Sequence, residues 1–392
     1  MKKTTSVVIL LGLVLVQLSD AQQRRRPPGG RVPLEVQEKR AIEEGFRGVT
    51  TDGKVIPGLF KIKSTGVSTA PVREAAGKFL ASLSKSQRAA TLFKADDDEW
   101  RKWANQHHYQ RQGVSFADMD KEQRELAFGL LDSALSARGL KTTRDIMRLN
   151  ETLAEFKKNW DEYGEWLYHI TVMGKPSAKQ PWGWQLDGHH VVINYFVLGD
   201  QVVMSPVFIG SEPVRAEWGK YKGTVVMQEE QDTGLAFLRS LPQEHREAAT
   251  LQGEKGPTNS LAEAFKDNLI TGNIGVPAKN LNQAGREGLM KLIAVFISHM
   301  EEGHAKVRLA EISEYLDETY FAWVGGSGDD SVFYYRIQSP VIYIEFDHQR
   351  PIGLARGRVP TRNHIHAVIR TPNGNDYGKD LLRQHYKAYP HK

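Results

Sequence analysis

The stretch His189-His190-Val191-Val192-Ile193-Asn194-Tyr195-Phe196-Val197 consists, after its two histidines, almost entirely of β-branched and aromatic residues. Such residues suit a pleated, buried surface, and the run has the length of a strand rather than of a membrane span. The same texture returns at 202–209, 223–227, 320–324, 332–338, 341–347 and 365–370. Gly, Pro, Asp and Asn punctuate these runs, so each is expected to be a strand. Upstream the period changes. Between Pro71 and about Asn159, Val72, Ala75, Phe79, Leu80 and Leu83, then Leu126, Leu130, Leu131 and Leu135, recur at helical spacings. Ser84 with Gln87 and Asp120 with Gln123 have the form of capping boxes that start helices. Helical patterns reappear at 235–251 and 283–300, and a short one closes the chain at 379–387. Helices first, then strands interspersed with helices, predict an α+β fold: an N-terminal helical subdomain packed on a mostly antiparallel sheet with interspersed helices.

The ends of the chain carry a different message. Met1-Lys2-Lys3, an apolar run from Val7 to Val16 and the small residues Ser19 and Ala21 read as a secretory signal peptide. The expected organisation is a signal peptide over 1–21, a flexible leader over 22–70 and a single α+β domain over 71–388. Its helical part covers 71–165 and its sheet-containing part 166–388. The expected location is periplasmic or secreted, with no integral membrane contact after signal cleavage. Cysteine is absent, which removes disulfides, thiolate ligands and cysteine nucleophiles and leaves any metal to His, Asp, Glu or neutral oxygen. A formal net charge of +5 over 392 residues is too small to imply nucleic acid as a partner. The expected partner is a small-molecule or oligomeric extracytoplasmic substrate.

Chemistry gathers on particular strand faces. In Asn363-His364-Ile365-His366 an extended backbone sends both imidazoles the same way, so one ion can be reached by both rings. The adjacent pair His189 and His190 sends its rings to opposite faces of a regular strand, so one of the two is expected to join them. Glu345 lies between Ile344 and Phe346 and requires a partner when buried, either Arg336 or a cation. With Ser339-Pro340 as a tight connection, Tyr334 would lie opposite Glu345 and Arg336 opposite Tyr343 on one polar face. Glu229 and Glu230 fit a helix start. His107, His108, His299 and His304 read as solvated faces, and most aromatic residues as core.

Several phrases in order carry a family resemblance: Trp182-Gly-Trp-Gln-Leu-Asp-Gly-His-His190, Tyr334-Tyr-Arg-Ile-Gln338, Ile344-Glu-Phe-Asp347, Asn363-His-Ile-His366 and Asn375-Asp-Tyr-Gly378 with His385-Tyr386. From about Val72 to Tyr386 the chain resembles an exported bacterial family catalogued as domain of unknown function 3500. Ile369 stands where that pattern has an aromatic residue. The resemblance implies one family-wide domain and brings no activity with it, so function rests on the site. The leading expectation is an exported metal-dependent enzyme, a hydrolase, in which His364, His366 and one of His189 or His190 bind a divalent metal, with zinc expected. Glu345 would be ligand or general base, Arg336 would orient it or stabilise charge, and Tyr334 would donate a hydrogen bond. Two alternatives stand beside it: a non-catalytic cell-envelope protein that binds a ligand or metal, and a purely structural hydrogen-bond network.

Overall fold

The computed structural model describes residues 32–390; the segment read as a signal peptide and the first part of the expected leader lie outside these residues. One mostly antiparallel sheet of twelve strands organises the chain. The strands are β1 (Leu92–Phe93), β2 (Val114–Ser115), β3 (Tyr168–Met173), β4 (Trp182–Gly188), β5 (Val191–Leu198), β6 (Gln201–Ser211), β7 (Thr250–Gln252), β8 (Val276–Pro277), β9 (Tyr320–Gly325), β10 (Phe333–Gln338), β11 (Tyr343–His348) and β12 (Ile365–Arg370). Their order is β1-β3-β4-β5-β6-β12-β11-β10-β9-β7. Two four-stranded meanders, β3 to β6 and β9 to β12, therefore meet at one seam. There β12 pairs antiparallel with β6, setting His366 opposite Gly210 and Ile365 opposite Ser211. Among the described strands of this sheet, parallel pairing is confined to the short β1 and β7 at the two ends of this order.

The expected helices form at Ala70–Ser82, Lys85–Thr91, Lys121–Asp132 and Ala137–Lys157, and later at Gln228–Ser240, Gln243–Ala249, Gln283–Ile297 and Lys379–Ala388. Both capping boxes are present, with Ser84 and Asp120 accepting from the backbone of Gln87 and Gln123. Each such cap is worth about 1 kcal/mol. One hydrophobic cluster runs from Val49 to Leu382, so helices and sheet share a core. No described helix is long and apolar enough to cross a membrane.

Four local readings differ from the sequence expectation. The segment expected as flexible leader is built into the fold from Leu34 onward: a helix spans Leu34–Glu43, Thr50 bridges Ile270, and Val49 and Phe60 are buried. Its apolar anchors are too widely spaced to show a period. Residues 223–227 make only a bridge between Arg215 and Val225 before the next helix begins. β4 had no β-branched run to announce it, yet its odd face, Gly183, Gln185 and Asp187, is buried through hydrogen bonds, Gln185 donating to Trp100 O and Asn194 Oδ1. Finally, Tyr334 pairs with Asp347, Arg336 with Glu345 and Gln338 with Tyr343. The register is moved by two residues because the connection is the four-residue loop 339–342, closed by Ser339 N donating to Ile342 O at 2.8 Å. An even shift leaves every side chain on its expected face.

A buried acid in the short helix Asp98–Arg101 gives a pH-dependent prediction. Glu99 is 2% exposed and its Oε2 has no hydrogen-bond partner. Burial raises its pKa from 4.5 to about 8, with Lys102 opposing and Asp187, Asp97 and Glu38 reinforcing the rise. Between these two values the folded chain keeps a proton that the unfolded chain has released, so this residue's contribution to stability falls as pH rises and then levels off. Glu99→Gln is therefore expected to raise the melting temperature by an increment that grows from pH 5 to pH 8. A constant increment measured by calorimetry across that range would contradict this assignment.

Candidate metal centre

The polar sheet face is covered by chain without regular structure. The segment between β7 and β8 crosses the side that carries Arg336, Gln338, Glu345, Asp347, His366 and Arg370. A buried loop cannot satisfy its own backbone groups, and these side chains do so for it. Glu345 accepts from Leu261 N and Ala262 N at 2.9–3.0 Å and from the Tyr334 hydroxyl at 2.6 Å. Asp347 accepts from Asn259 N and Ser260 N at 2.7 and 3.1 Å, and pairs with Lys255 at 2.6 Å. Arg370 donates to Ala262 O and Glu263 O, and Arg336 to Thr271 Oγ1 and Gly272 O. Burial pushes the carboxyls of Glu345 and Asp347 above their usual range, opposed for Glu345 first by the Tyr334 hydrogen bond and for Asp347 first by Lys255.

Two carboxylates thus hold four consecutive backbone amides, 259 to 262, immediately before Glu263. Glu263 Oε1 accepts from His366 Nδ1 at 2.8 Å. A second clasp repeats the logic. Glu212, just past the end of β6, accepts from the amides of Ile352, Gly353 and Leu354 at 2.7–3.1 Å. That fixes the strap whose Arg350 carbonyl accepts from His364 Nδ1 at 2.7 Å.

The third imidazole comes from the turn between β4 and β5. Gly188 pairs with Val191, leaving His189 and His190 as a two-residue loop. His190 has φ +65, a left-handed conformation costly for a side-chain-bearing residue and recurrent at functional sites. Its backbone is held on both sides, N donating to Asn105 O at 3.3 Å and O accepting from Gly210 N at 2.8 Å. Gly188 is required here, because a Cβ would fall 2.0 Å from the Tyr168 ring. The turn also separates the two histidines. His190 faces the seam, while His189 stacks on it at 3.9 Å and turns its Nδ1 to Asn150 Oδ1 at 2.7 Å.

His190, His364 and His366 therefore converge, all buried. Their Nε2 atoms are separated by 3.0 Å (364 to 366), 3.2 Å (366 to 190) and 3.3 Å (364 to 190). The Arg350 carbonyl can only accept, and the Glu263 carboxylate does so as well, which places the protons of His364 and His366 on Nδ1 and leaves their Nε2 atoms as bare lone pairs. Two lone pairs 3.0 Å apart repel unless a cation lies between them. An ion 2.0–2.1 Å from each nitrogen in tetrahedral geometry sets separations of about 3.3 Å, which the cluster matches. Burial, and then the neighbouring histidines, push His190 and His364 well below the usual imidazole range, which favours the neutral, ligating form.

A cavity of about 330 Å³ opens on the triad, lined among others by Asn105, Gln106, His107, Tyr163, Glu263 and Gln349. His107 is not on a solvated helix face but in this wall, its Nε2 meeting the Tyr163 hydroxyl at 3.2 Å. His108 also lines the cavity, and His299 and His304 are buried. Glu229 and Glu230 open the helix Gln228–Ser240 and pair with Arg138.

Residues 65–379 match the family described as Protein of unknown function (DUF3500). The chain belongs to that family. Comparison with curated proteins and with solved structures returned no match. The description of the DUF3500 family brings no residue roles, so those of this member follow from its geometry.

Of the expected site residues, His190, His364 and His366 come together and His189 packs beside them. Glu345, Arg336 and Tyr334 do not line the cavity. Their polar atoms are engaged with the covering loop and each other, so the geometry gives Glu345 the part of a loop anchor in place of the ligand or base expected of it. Glu263 and Glu212 were not expected. Glu263 sits in a loop without a pattern, and Glu212 had only its position at a strand end to mark it. The anchor role is testable: Glu345→Gln exchanges a double acceptor for a group with one acceptor and one donor. It is expected to weaken metal binding about tenfold, through Glu263, as loss of an outer partner does. Titration of the metal-free protein with Zn²⁺ reads this, and unchanged affinity would contradict it.

Proposed function

We propose that the chain is an exported metal-dependent hydrolase whose ion, Zn²⁺, is held by His190, His364 and His366. The observation that carries this reading is the 3.0–3.3 Å convergence of three Nε2 atoms with two of the Nδ1 atoms already committed to acceptors. Three neutral nitrogen ligands beside an open cavity fit a catalytic rather than a closed structural site. An ion bound there would supply Lewis acidity and an acidified water at neutral pH.

The chain's own residues would do the rest. Glu263 and the Arg350 carbonyl hold two imidazoles in their ligating tautomer and raise their basicity. Burial lowers His107 to about 4, so its imidazole stays neutral at pH 7, and its contact with the Tyr163 hydroxyl fixes its orientation in the same wall, where it would position substrate by hydrogen bonding. Tyr163 and Leu153 line the cavity and exclude water from one side. Export rests on the reading of residues 1–21.

The experiment is hydrolysis of a panel of ester, amide, phosphoester and glycoside probes by protein as purified, after chelation, and after reloading with Zn²⁺. The expected result is turnover that is lost on chelation and restored on reloading. Turnover indifferent to chelation would overturn the reading. A bound metal with no turnover of any probe would favour a binding protein.

A further inference from the structure

The cavity beside the triad holds one cation that the fold does not neutralise. Arg350 is the single lysine or arginine among the described lining residues. Its backbone is pinned on both sides, N donating to Pro257 O at 2.9 Å and O accepting from His364 Nδ1 at 2.7 Å, so the residue is fixed against the triad. Its guanidinium makes no ion pair and no hydrogen bond among the described residues. Arg350 is only half-buried, and its guanidinium nitrogens stay open to solvent. Its positive charge also reaches the His364 ring, where it opposes protonation.

The contrast with the buried arginines is sharp. Arg336 and Arg370 spend their donors on the covering loop, and Arg370 pairs with two carboxylates besides. The fork of Arg350 is unspent, and such a fork matches the paired oxygens of a carboxylate, phosphate or sulfate. The two acids in the lining do not compete for it. Glu212 is occupied by the amides of Ile352, Gly353 and Leu354, and Glu263 holds His366. A divalent ion on the triad would leave the lining with an excess of positive charge, which favours an anionic group and repels an ammonium. A second observation agrees. The strap that carries Arg350, residues 349–363, contains Arg356, Arg358 and Arg362 as well and no acidic residue. Arg362 donates to Ser331 O, while Arg356 and Arg358 stand exposed. Their common sign draws anions toward the strap.

We propose that Arg350 sets the specificity of the cavity: its guanidinium receives an oxyanion of the ligand, a carboxylate, phosphate or sulfate, so the site takes anionic small molecules. This names a substrate class for the proposed hydrolase and rests on that reading for the reaction alone, because the arginine would pair with an oxyanion whether or not a metal is bound. The two halves of the residue act separately. Its carbonyl holds His364, and its side chain can be exchanged without removing that carbonyl.

The test is calorimetric titration of the full chain, metal-free and loaded with Zn²⁺, with glutarate, inorganic phosphate and sulfate. Glutaramide and 1,5-diaminopentane serve as neutral and cationic contrasts, and metal content is measured on the same samples. Arg350→Gln removes charge and fork together, whereas Arg350→Lys keeps the charge alone; the side chain has no partner in the fold to lose, so both variants should fold. The expected result is millimolar or tighter binding of at least one of the three anions in both forms of the chain, and tighter binding in the zinc form. Arg350→Gln should weaken it about tenfold or more and Arg350→Lys by less, with metal content unchanged. The anion bound tightest identifies the group the site reads. Equal affinity in Arg350→Gln, no binding of any of the three, or preference for glutaramide or the diamine would each overturn the proposal. Binding that depends on Arg350 in a chain that takes up no Zn²⁺ would support it and count against the hydrolase reading alone.

Discussion

His364→Ala and His366→Ala are each expected to lower Zn²⁺ affinity by more than about 100-fold, beyond the 10–100-fold that loss of an outer-shell partner costs. Both rings lose their place in the set of three Nε2 atoms, and two nitrogens beside an open cavity make a poor site. The same variants are expected to lose the stabilisation that metal confers. A ligand at 1,000 times its dissociation constant adds about 4 kcal/mol to the folded state. Chelation should therefore lower the melting temperature of the unaltered chain and leave either variant nearly unmoved. Elemental analysis and differential scanning calorimetry together check this. If both variants keep the metal content of the unaltered chain, the assignment of the ligands is wrong.

Arg370→Met is expected to cost about 3–5 kcal/mol of folding free energy, the range for removing one partner of a buried charge cluster. Arg370 is fully buried and pairs at 3.0 Å with both Asp267 and Asp376 while donating to Ala262 O. Burial raises Asp376 to about 6 even with the guanidinium beside it, so the carboxylate left behind has little other compensation than the Thr371 amide. Asp267 keeps Arg101 and the Tyr377 hydroxyl, which places the damage mainly at Asp376 and the covering loop. Arg370→Lys keeps the charge and loses the fork, and should fall between the two. Urea unfolding measures the difference. A cost under about 1 kcal/mol would show that the loop is held chiefly by its other anchors.

What could be read from the residues follows from how local each signal is. Most strands of the two meanders announce themselves through runs of Val, Ile, Tyr and Phe, and His364 with His366 through the period of two, because both depend only on strand geometry. Whether His189 or His190 joins them depends on a two-residue turn and a positive φ, which no alternation reveals. β4 hid because its inward polar residues are satisfied by the distant Trp100 carbonyl and by Asn194. Glu345 shows the limit most clearly. A carboxylate between Ile344 and Phe346 needs a partner, and the sequence cannot say whether that partner is an arginine, a metal or two backbone amides of a loop eighty residues away. The polar strand face was correctly located, but most of it serves the backbone of the covering segment, and the three converging Nε2 atoms lie only at its edge on the seam.

X-ray absorption at the zinc edge of protein loaded with one equivalent of Zn²⁺ tests the central claim most directly. The account predicts a first shell of nitrogen or oxygen at 2.0–2.1 Å with the outer-shell scattering of three imidazoles. A shell dominated by carboxylate or water oxygen, with fewer than two imidazoles, would contradict it.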